Sequence, residues 1–294
     1  MLILCSLTVV SFGIGFYIAE KRQINKTGLT IIDDMGRTVH IEKKPMRIVS
    51  LSPSNTENLY SLGLENRIVG ITDYCDYPPE TKLKERVGGF TNPNVEKILN
   101  LTPDLVVAYY GQETFVDQLE NAGVTVIVLH PQTIPNIIQN VKLLGQITET
   151  SPRANALVSI LQNRVDNVTK KTSLLDDSKR PRVYYEMWCN PYYTAGPGSF
   201  VDMLIRMAGG INIASNTTSE WPVISEEFII GSNPKIIITT LMNQATLNDI
   251  KNRTGWIVLD AIKNDKVYQV DGNLLERPGP RLIDGLELLY GLLK

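Results

Sequence analysis

The 294-residue chain has few histidines, cysteines and aromatic residues, and it carries almost no net charge. It contains two histidines, three cysteines and 7% aromatic residues. So few histidines argue against a zinc or haem site built from several imidazole ligands. The formal net charge of −2 gives no electrostatic footprint for nucleic acid. Neither histidine lies in a set of nucleophile, base and orienting residue, so we predict no enzyme, no resident metal or cofactor and no nucleic-acid partner.

Charge is also missing from residues 2–19, LILCSLTVVSFGIGFYIA, which precede Glu20-Lys21-Arg22. An uncharged run of this length predicts a signal peptide or a membrane anchor, and we assign residues 1–28 to this segment and its spacer. A buried helix of the fold is the alternative. Cys5 lies too near the start for a usual lipoprotein box, so an uncleaved anchor is favoured over lipidation. The rest of the chain is then expected to be extracytoplasmic, anchored to the cell membrane or periplasmic.

Short β-branched runs alternate with helical patterns over residues 29–132 and again over residues 180–294. The strand-like runs include RIVSL, RIVGI, RVYYEMW and KIIITT. Such alternation is typical of a parallel sheet covered by helices. Between these regions, residues 133–179 show apolar residues at helical spacing, and Pro152 suits the first turn of a second helix. We therefore predict an α/β fold with two Rossmann-like lobes, a long backbone helix joining them and a ligand cleft between them. A helical connection has few torsions that can act as a hinge. We therefore predict that the two lobes keep a nearly fixed relative orientation.

Six segments carry a resemblance to a known family over residues 29–294. They are DDMGRTVHIEKKPMRIVSLSPSNTENLYSLGLENRIVGIT, DYPPE, NVEKILNLTPDLVVA, LENAGVTVIVL, AGPGSFVDMLIRMAGGINIA and WPVISEEFIIGSNPKIIITT. Each segment alone is a weak signal, but their order and spacing are specific. The chain resembles the class III substrate-binding proteins of ABC importers, whose ligands include vitamin B12, iron–siderophores and haem. The resemblance implies a monomer that binds a corrinoid, or alternatively a ferric siderophore or haem, and delivers it to a permease dimer.

The resemblance to the vitamin B12-binding members implies ligand contacts on both lobes. It assigns them to Tyr74 in DYCDYPP, Phe90 in GGFTNPN, Trp221 in EWPVIS, and Asn273 and Arg277 around NLLERPGPR. Those members have Asp where this chain has Asn273, and their disulfide has no counterpart here, because Ala208 and Leu289 stand near its positions. Arg277 and Arg281 are the basic residues of this loop, and either suits an anionic group of a ligand. A solvated or capping arginine is the alternative.

Aromatic residues concentrate in WCNPYYTAGPGSF, residues 188–200, directly after a predicted strand. If this segment enters the cleft, the rings of Trp188 and Tyr192 or Tyr193 would stack on a large, partly apolar ligand. We predict Trp188 and Tyr192 as ligand contacts. The preceding Tyr184 and Tyr185 point to opposite faces of a strand, so at least one of them is expected in the core.

Two glutamates are implied as contacts to the permease. Glu96 in NVEKIL and Glu227 in SEEFII match the acidic docking residue that family members carry on each lobe. Both fall in the first turn of a predicted helix, where the helix dipole alone explains an acidic residue. Glu226 is the neighbour that could replace Glu227.

Cys75 and Cys189 each follow an aromatic residue in a predicted cleft loop, one in each lobe. They could bind a metal as thiolates or pair across the cleft, or they could be small buried residues. A free zinc or manganese ion as ligand is disfavoured, because such sites need several histidines and carboxylates.

Overall fold

The computed structural model describes residues 28–241 and 243–294. The segment predicted to be a signal peptide or anchor, residues 1–28, lies outside this part of the chain except for Gly28. Within the described ranges, no helix combines the length and apolarity that crossing a bilayer requires.

The N-terminal lobe contains a hairpin and a four-stranded parallel sheet. Its strands are β1 (Leu29–Ile32), β2 (Thr38–Ile41), β3 (Ile48–Ser50), β4 (Ile68–Ile71), β5 (Leu105–Tyr109) and β6 (Val126–Leu129). Its helices are α1 (Pro53–Ser61), α2 (Val95–Asn100) and α3 (Glu113–Asn121). The antiparallel pair β1–β2 stands beside the sheet, whose order is β4-β3-β5-β6. Strands β3 and β6 are buried along their whole length, as expected for a sheet covered by helices on both faces.

Two helices, α4 (Ile134–Ile147) and α5 (Ser151–Thr172), connect the lobes. They pack on each other closely, since a Cβ placed on Gly145 would lie 2.3 Å from the Cβ of Ala154. The longer helix, α5, has 22 residues and therefore spans about 33 Å. Near its start, Arg153 donates to the carbonyl of Ser61 at the end of α1. Further along, Arg164 contacts the C-terminal lobe, so α5 is the backbone helix that the apolar spacing predicts.

The C-terminal lobe repeats the sheet topology of the first. Its strands are β7 (Arg182–Glu186), β8 (Trp188–Cys189), β9 (Tyr192–Tyr193), β10 (Ile211–Asn212), β11 (Ile236–Thr240) and β12 (Val267–Val270). Its helices are α6 (Phe200–Met207), α7 (Glu226–Ser232), α8 (Leu247–Lys251), α9 (Asp260–Lys263), α10 (Asn273–Glu276) and α11 (Leu282–Leu292). The parallel sheet has the order β10-β7-β11-β12, and β8 and β9 form a separate antiparallel hairpin.

In each parallel sheet, the strand that comes first in the chain is the second strand across the sheet. This strand is β3 in one lobe and β7 in the other. The connections therefore leave it in opposite directions, which creates a topological switch point at its carboxyl end. Ligands of open α/β sheets bind at such points, because the loops diverge there and leave a crevice. This topology confirms the predicted two-lobed α/β fold and directs the search for a site to the segments that follow β3 and β7.

Candidate ligand-binding cleft

An apolar cavity of about 570 Å³ lies just beyond the carboxyl end of β7. It is lined by Met187, Trp188, Tyr193 and Trp221. Its volume falls within the range usual for sites that bind cofactor-sized molecules. Three of the four lining side chains are aromatic, which suits a broad ligand face that is bound by stacking and by burial of apolar area.

The hairpin β8–β9 sorts its aromatic residues onto two faces. Trp188 lies opposite Tyr193, and Cys189 lies opposite Tyr192, so each of these pairs shares one face. The first pair lines the cavity. On the other face, the Tyr192 ring packs against Trp256 at a centroid distance of 5.9 Å and beneath the Arg253 guanidinium at 5.3 Å.

Of the two adjacent tyrosines, we predict Tyr192 from the sequence as the ligand contact. The structure places Tyr193 at the cavity instead. The signal for this choice is the strand alternation within the hairpin, which depends on how the turn at Asn190 and Pro191 sets the register.

Trp221 is held at the cavity by backbone pairing of its loop with β9. Thr194 donates to the carbonyl of Pro222, and Ile224 donates to that of Tyr192. The Trp221 ring is partly buried and packs against the main hydrophobic core. A tryptophan beside a proline in a loop suggests a ring that lies away from the core. The Trp221 ring instead contacts the core on one part and lines the cavity with another.

A second, smaller cavity of about 230 Å³ takes residues from both lobes. The segment Ser52–Ser54 after β3, with Phe90 and Tyr109, contributes the N-terminal wall, and Glu276–Pro278 contributes the C-terminal wall. Phe90 and Tyr109 pack at a centroid distance of 5.9 Å. Gln112 fixes the Phe90 loop by donating to its carbonyl at 2.7 Å.

Tyr109 is a cavity residue that the sequence reasoning missed. It is the last residue of β5, and the carboxyl ends of parallel strands are where such sites form, so its position carried a signal. Burial raises the pKa of Tyr109 to about 12, and Glu220 and Asp34 act in the same direction. Its hydroxyl is therefore a neutral hydrogen-bond group at physiological pH.

Two of the other proposed ligand contacts lie outside both cavities. Tyr74 is 63% exposed at the rim, where its carbonyl accepts from Arg277 at 3.5 Å. Asn273 begins α10, and its backbone amide donates to Asp271. The cavities thus bring together Trp188 with Trp221, and Phe90 with Arg277, while Tyr74 and Asn273 stay predicted contacts.

Arg277 and Arg281 are both engaged with carboxylates. Arg277 pairs with Asp76 at 2.5 Å and with Glu57 at 3.4 Å, both in the opposite lobe. Arg281 lies 3.7 Å from Glu57 and 3.4 Å from Asp271. Its guanidinium also covers the Tyr77 ring at 3.9 Å. Neither arginine is therefore a free cation that awaits an anionic ligand.

Glu57 is the most buried member of this interlobe ion cluster. Its side chain is 2% exposed, and its Oε2 atom accepts no hydrogen bond from the described residues. Burial raises the pKa of Glu57 to about 7, although Arg281 and Arg277 oppose the shift. The cluster therefore changes its net charge near neutral pH.

Glu96 and Glu227 occupy equivalent positions on the two lobes. Each is the second residue of a helix. The side chain of the cap residue, Asn94 or Ser225, accepts a hydrogen bond from the backbone N–H of the residue that follows the glutamate. Both side chains are exposed. The pKa of Glu227 is lowered by its own backbone N–H and by the Ser225 hydroxyl, so it is anionic at neutral pH. Glu226 differs, because its Oε1 atom accepts from the Trp256 indole at 2.7 Å.

The two cysteines of the described chain are unpaired. The Cys75 thiol is buried and lies 3.2 Å from the Thr56 hydroxyl, while Cys189 is on the reverse face of the hairpin. No group of three or more potential metal-ligating side chains occurs within residues 28–241 and 243–294. Cys75 therefore fits the interpretation of a small buried residue.

Known proteins include several related sequences that cover most of the chain. An uncharacterised ABC transporter substrate-binding lipoprotein of Bacillus subtilis is 34% identical over 92% of this chain and 86% of its own. A cobalamin-binding protein of Halobacterium salinarum is 30% identical over 86% of this chain and 70% of its own.

Several solved structures share the fold. The periplasmic vitamin B12-binding protein of Vibrio cholerae superposes with a TM-score of 0.72 at 27% identity, covering 85% of this chain and 96% of its own. A possible iron-binding periplasmic protein of Staphylococcus epidermidis superposes with a TM-score of 0.73 at 32% identity, covering 85% and 99%. The family described as periplasmic binding protein matches residues 48–274. Because this match covers most of the chain and the two-lobed fold agrees with it, the chain belongs to the periplasmic binding proteins. It is a substrate-binding protein of the ABC importer type.

Proposed function

We propose that this protein binds a corrinoid of the vitamin B12 class between its lobes, outside the cytoplasm, and delivers it to an ABC permease. The relatives named as cobalamin-binding and vitamin B12-binding proteins support this ligand class. The extracytoplasmic location is supported by the lipoprotein relative. The proposal depends on what the cleft offers a ligand in shape and in charge.

The observation that carries the proposal is the pairing of an aromatic cavity with arginines that are already neutralised. Trp188, Tyr193 and Trp221 offer flat apolar surface, and a buried aromatic face contributes about 1–3 kcal/mol to binding. Arg277 and Arg281 are held by Glu57, Asp76 and Asp271. A large ligand with little net charge fits this cleft better than a highly anionic ferric siderophore, because the latter would need free cations.

Delivery requires contact with the permease, and Glu96 and Glu227 suit that role. They are exposed carboxylates at equivalent helix positions, one on each lobe. A pair of this kind matches a permease dimer with a basic site on each subunit, since complementary charges guide and orient docking. Glu226 is less suited, because its carboxylate is committed to Trp256.

Tryptophan fluorescence offers the direct test, because two of the three tryptophans line the cavity and Trp256 is fully buried elsewhere. The protein is titrated separately with cyanocobalamin, dicyanocobinamide, haemin and a ferric tricatecholate. We expect saturable quenching by the two corrinoids at micromolar concentration or below. Replacing both Trp188 and Trp221 with phenylalanine should remove most of the quenching. Saturation by haemin or by the ferric chelate with no response to corrinoids would contradict the proposed ligand.

A further inference from the structure

Glu276 carries a carboxyl group and belongs to the C-terminal wall of the smaller cavity. It is the last residue of α10 and lines the cavity beside Arg277 and Ser54. Its Oε1 atom accepts a hydrogen bond from the hydroxyl of Tyr185, whose side chain is fully buried in β7. One oxygen of the carboxyl is therefore fixed by the core of the C-terminal lobe, which sets the orientation of the whole group.

The second oxygen of Glu276 is available to a ligand. None of the described residues donates a hydrogen bond to Oε2. This atom is also not fully buried, so a ligand can reach it. Arg277 follows directly in the chain, but its guanidinium is bound to Asp76 and Glu57 of the other lobe. The C-terminal wall of the cavity thus presents a fixed hydrogen-bond acceptor without an accompanying free cation.

We propose that Glu276 determines specificity by accepting a hydrogen bond from a ligand amide, so that the cleft selects chelates with peripheral carboxamides over those with peripheral carboxylates. This inference rests on the proposed function. A corrinoid carries carboxamide side chains, whereas haem of similar size carries propionates. An amide N–H donates to Glu276, but a carboxylate in the same place faces a like charge and has nothing to donate.

The other charged groups near Glu276 do not change this preference. Asp271, in the segment before α10, raises the pKa of Glu276, and the charge of the neighbouring Arg277 lowers it. Because Arg277 is shared between two carboxylates across the cleft, a ligand carboxylate would have to compete with both of them. Burial raises the pKa of Glu276, and the hydrogen bond from Tyr185 opposes the shift. The selectivity should therefore weaken as the pH falls and the carboxyl takes up a proton.

The test compares cyanocobalamin with its three monocarboxylic acids, in which one peripheral propionamide is hydrolysed. Affinities are measured by tryptophan quenching for the wild-type protein, Glu276→Gln and the matched control Glu42→Gln, which changes an exposed glutamate of the hairpin region. We expect at least one acid to bind the wild type and the control on the order of 10- to 100-fold more weakly than cyanocobalamin. In Glu276→Gln the same acid should come within about threefold of cyanocobalamin, because the glutamine amide donates to a carboxylate.

Tyr185→Phe provides a second variant that keeps the carboxyl but releases its Oε1 atom. The ratio between the amide and acid ligands should shrink, because the freed carboxyl turns and protonates more readily. The inference is overturned if all three acids bind the wild type as tightly as cyanocobalamin, or if the ratio is the same in Glu276→Gln. If the wild type binds no corrinoid at all, the proposed function fails together with the inference. Binding of corrinoids without discrimination would remove the inference alone.

Discussion

Arg277 in the C-terminal lobe and Asp76 in the N-terminal lobe form an ion pair across the cleft, with 2.5 Å between Nη1 and Oδ1. Glu57 extends this contact to a second carboxylate of the N-terminal lobe. Residues 76 and 277 stand 201 positions apart in the sequence, so the pair links the two lobes. It uses the cation that an anionic ligand would otherwise need, and it places a buried acid at the boundary between the lobes.

The buried acid makes stability depend on pH. The pKa of Glu57 rises from 4.5 to about 7 on folding, so the folded protein keeps a proton that the unfolded chain loses between these values. Stability should therefore fall as the pH rises from about 4.5 to about 7, and the contribution should level off above that range. Glu57→Gln removes this contribution, which is on the order of 3 kcal/mol. Denaturant unfolding at pH 5 and pH 8 measures it as the difference between the wild type and the variant. Parallel pH profiles for the two proteins would show that Glu57 does not titrate in this range.

Trp221 should matter more for binding than for the fold. Trp221→Ala removes one wall of the larger cavity, so the affinity for cyanocobalamin should fall by about 2–3 kcal/mol, or roughly 30- to 150-fold. Some stability will also be lost, because the ring packs against the main core. Trp256→Phe is the control, since Trp256 is fully buried beside Tyr184 and away from the cavity. Calorimetric titration should show weakened binding for the first variant only. If Trp221→Ala lowers the stability but leaves the affinity for cyanocobalamin unchanged, Trp221 is a core residue and not a ligand contact.

The paired glutamates should separate transport from ligand binding. The double variant Glu96→Ala with Glu227→Ala should keep wild-type ligand affinity and lose uptake by permease-containing vesicles, because each lobe loses its exposed carboxylate. Glu226→Gln is the matched control and should transport normally, since its partner is Trp256 of the same lobe. Undiminished uptake by the double variant would show that Glu96 and Glu227 do not dock to the permease and only stabilise the first turns of their helices.

The lobes should move little when ligand binds. Helix α5 is tied to the N-terminal lobe through Arg153 and to α11 through Arg164, which bonds Asp284 at 2.6 Å and Glu287 at 3.0 Å. Small-angle scattering of the free and corrinoid-loaded protein should give the same radius of gyration within error. A clear decrease in the radius on binding would contradict the stiff connection.

The fold could be predicted from the sequence because its signals are local. The apolar run of β5 and the helical spacing of residues 134–147 follow from burial within a few neighbouring residues. The predicted lobe boundaries at residues 132 and 179 depend on those same patterns and stay predictions.

The cavity residues were harder to predict, because they depend on register and on distant contacts. Adjacent tyrosines at 192 and 193 point to opposite faces, and only the hairpin register decides which one faces the cavity. The basic character of Arg277 suggested an anion site, but its partners come from segments about two hundred residues away. Glu276 gave no signal in the sequence, since the orientation of its carboxyl depends on the Tyr185 hydroxyl, which comes from strand β7.

The most direct test of the central claim is equilibrium dialysis of the purified protein against cyanocobalamin, read by the visible absorbance of the corrinoid. The wild type should retain one corrinoid per chain at saturation, and the variant carrying both Trp188→Ala and Trp221→Ala should retain almost none at the same free concentration. A folded wild-type protein that retains no corrinoid, or a double variant that retains as much as the wild type, would contradict corrinoid binding in the cleft between the lobes.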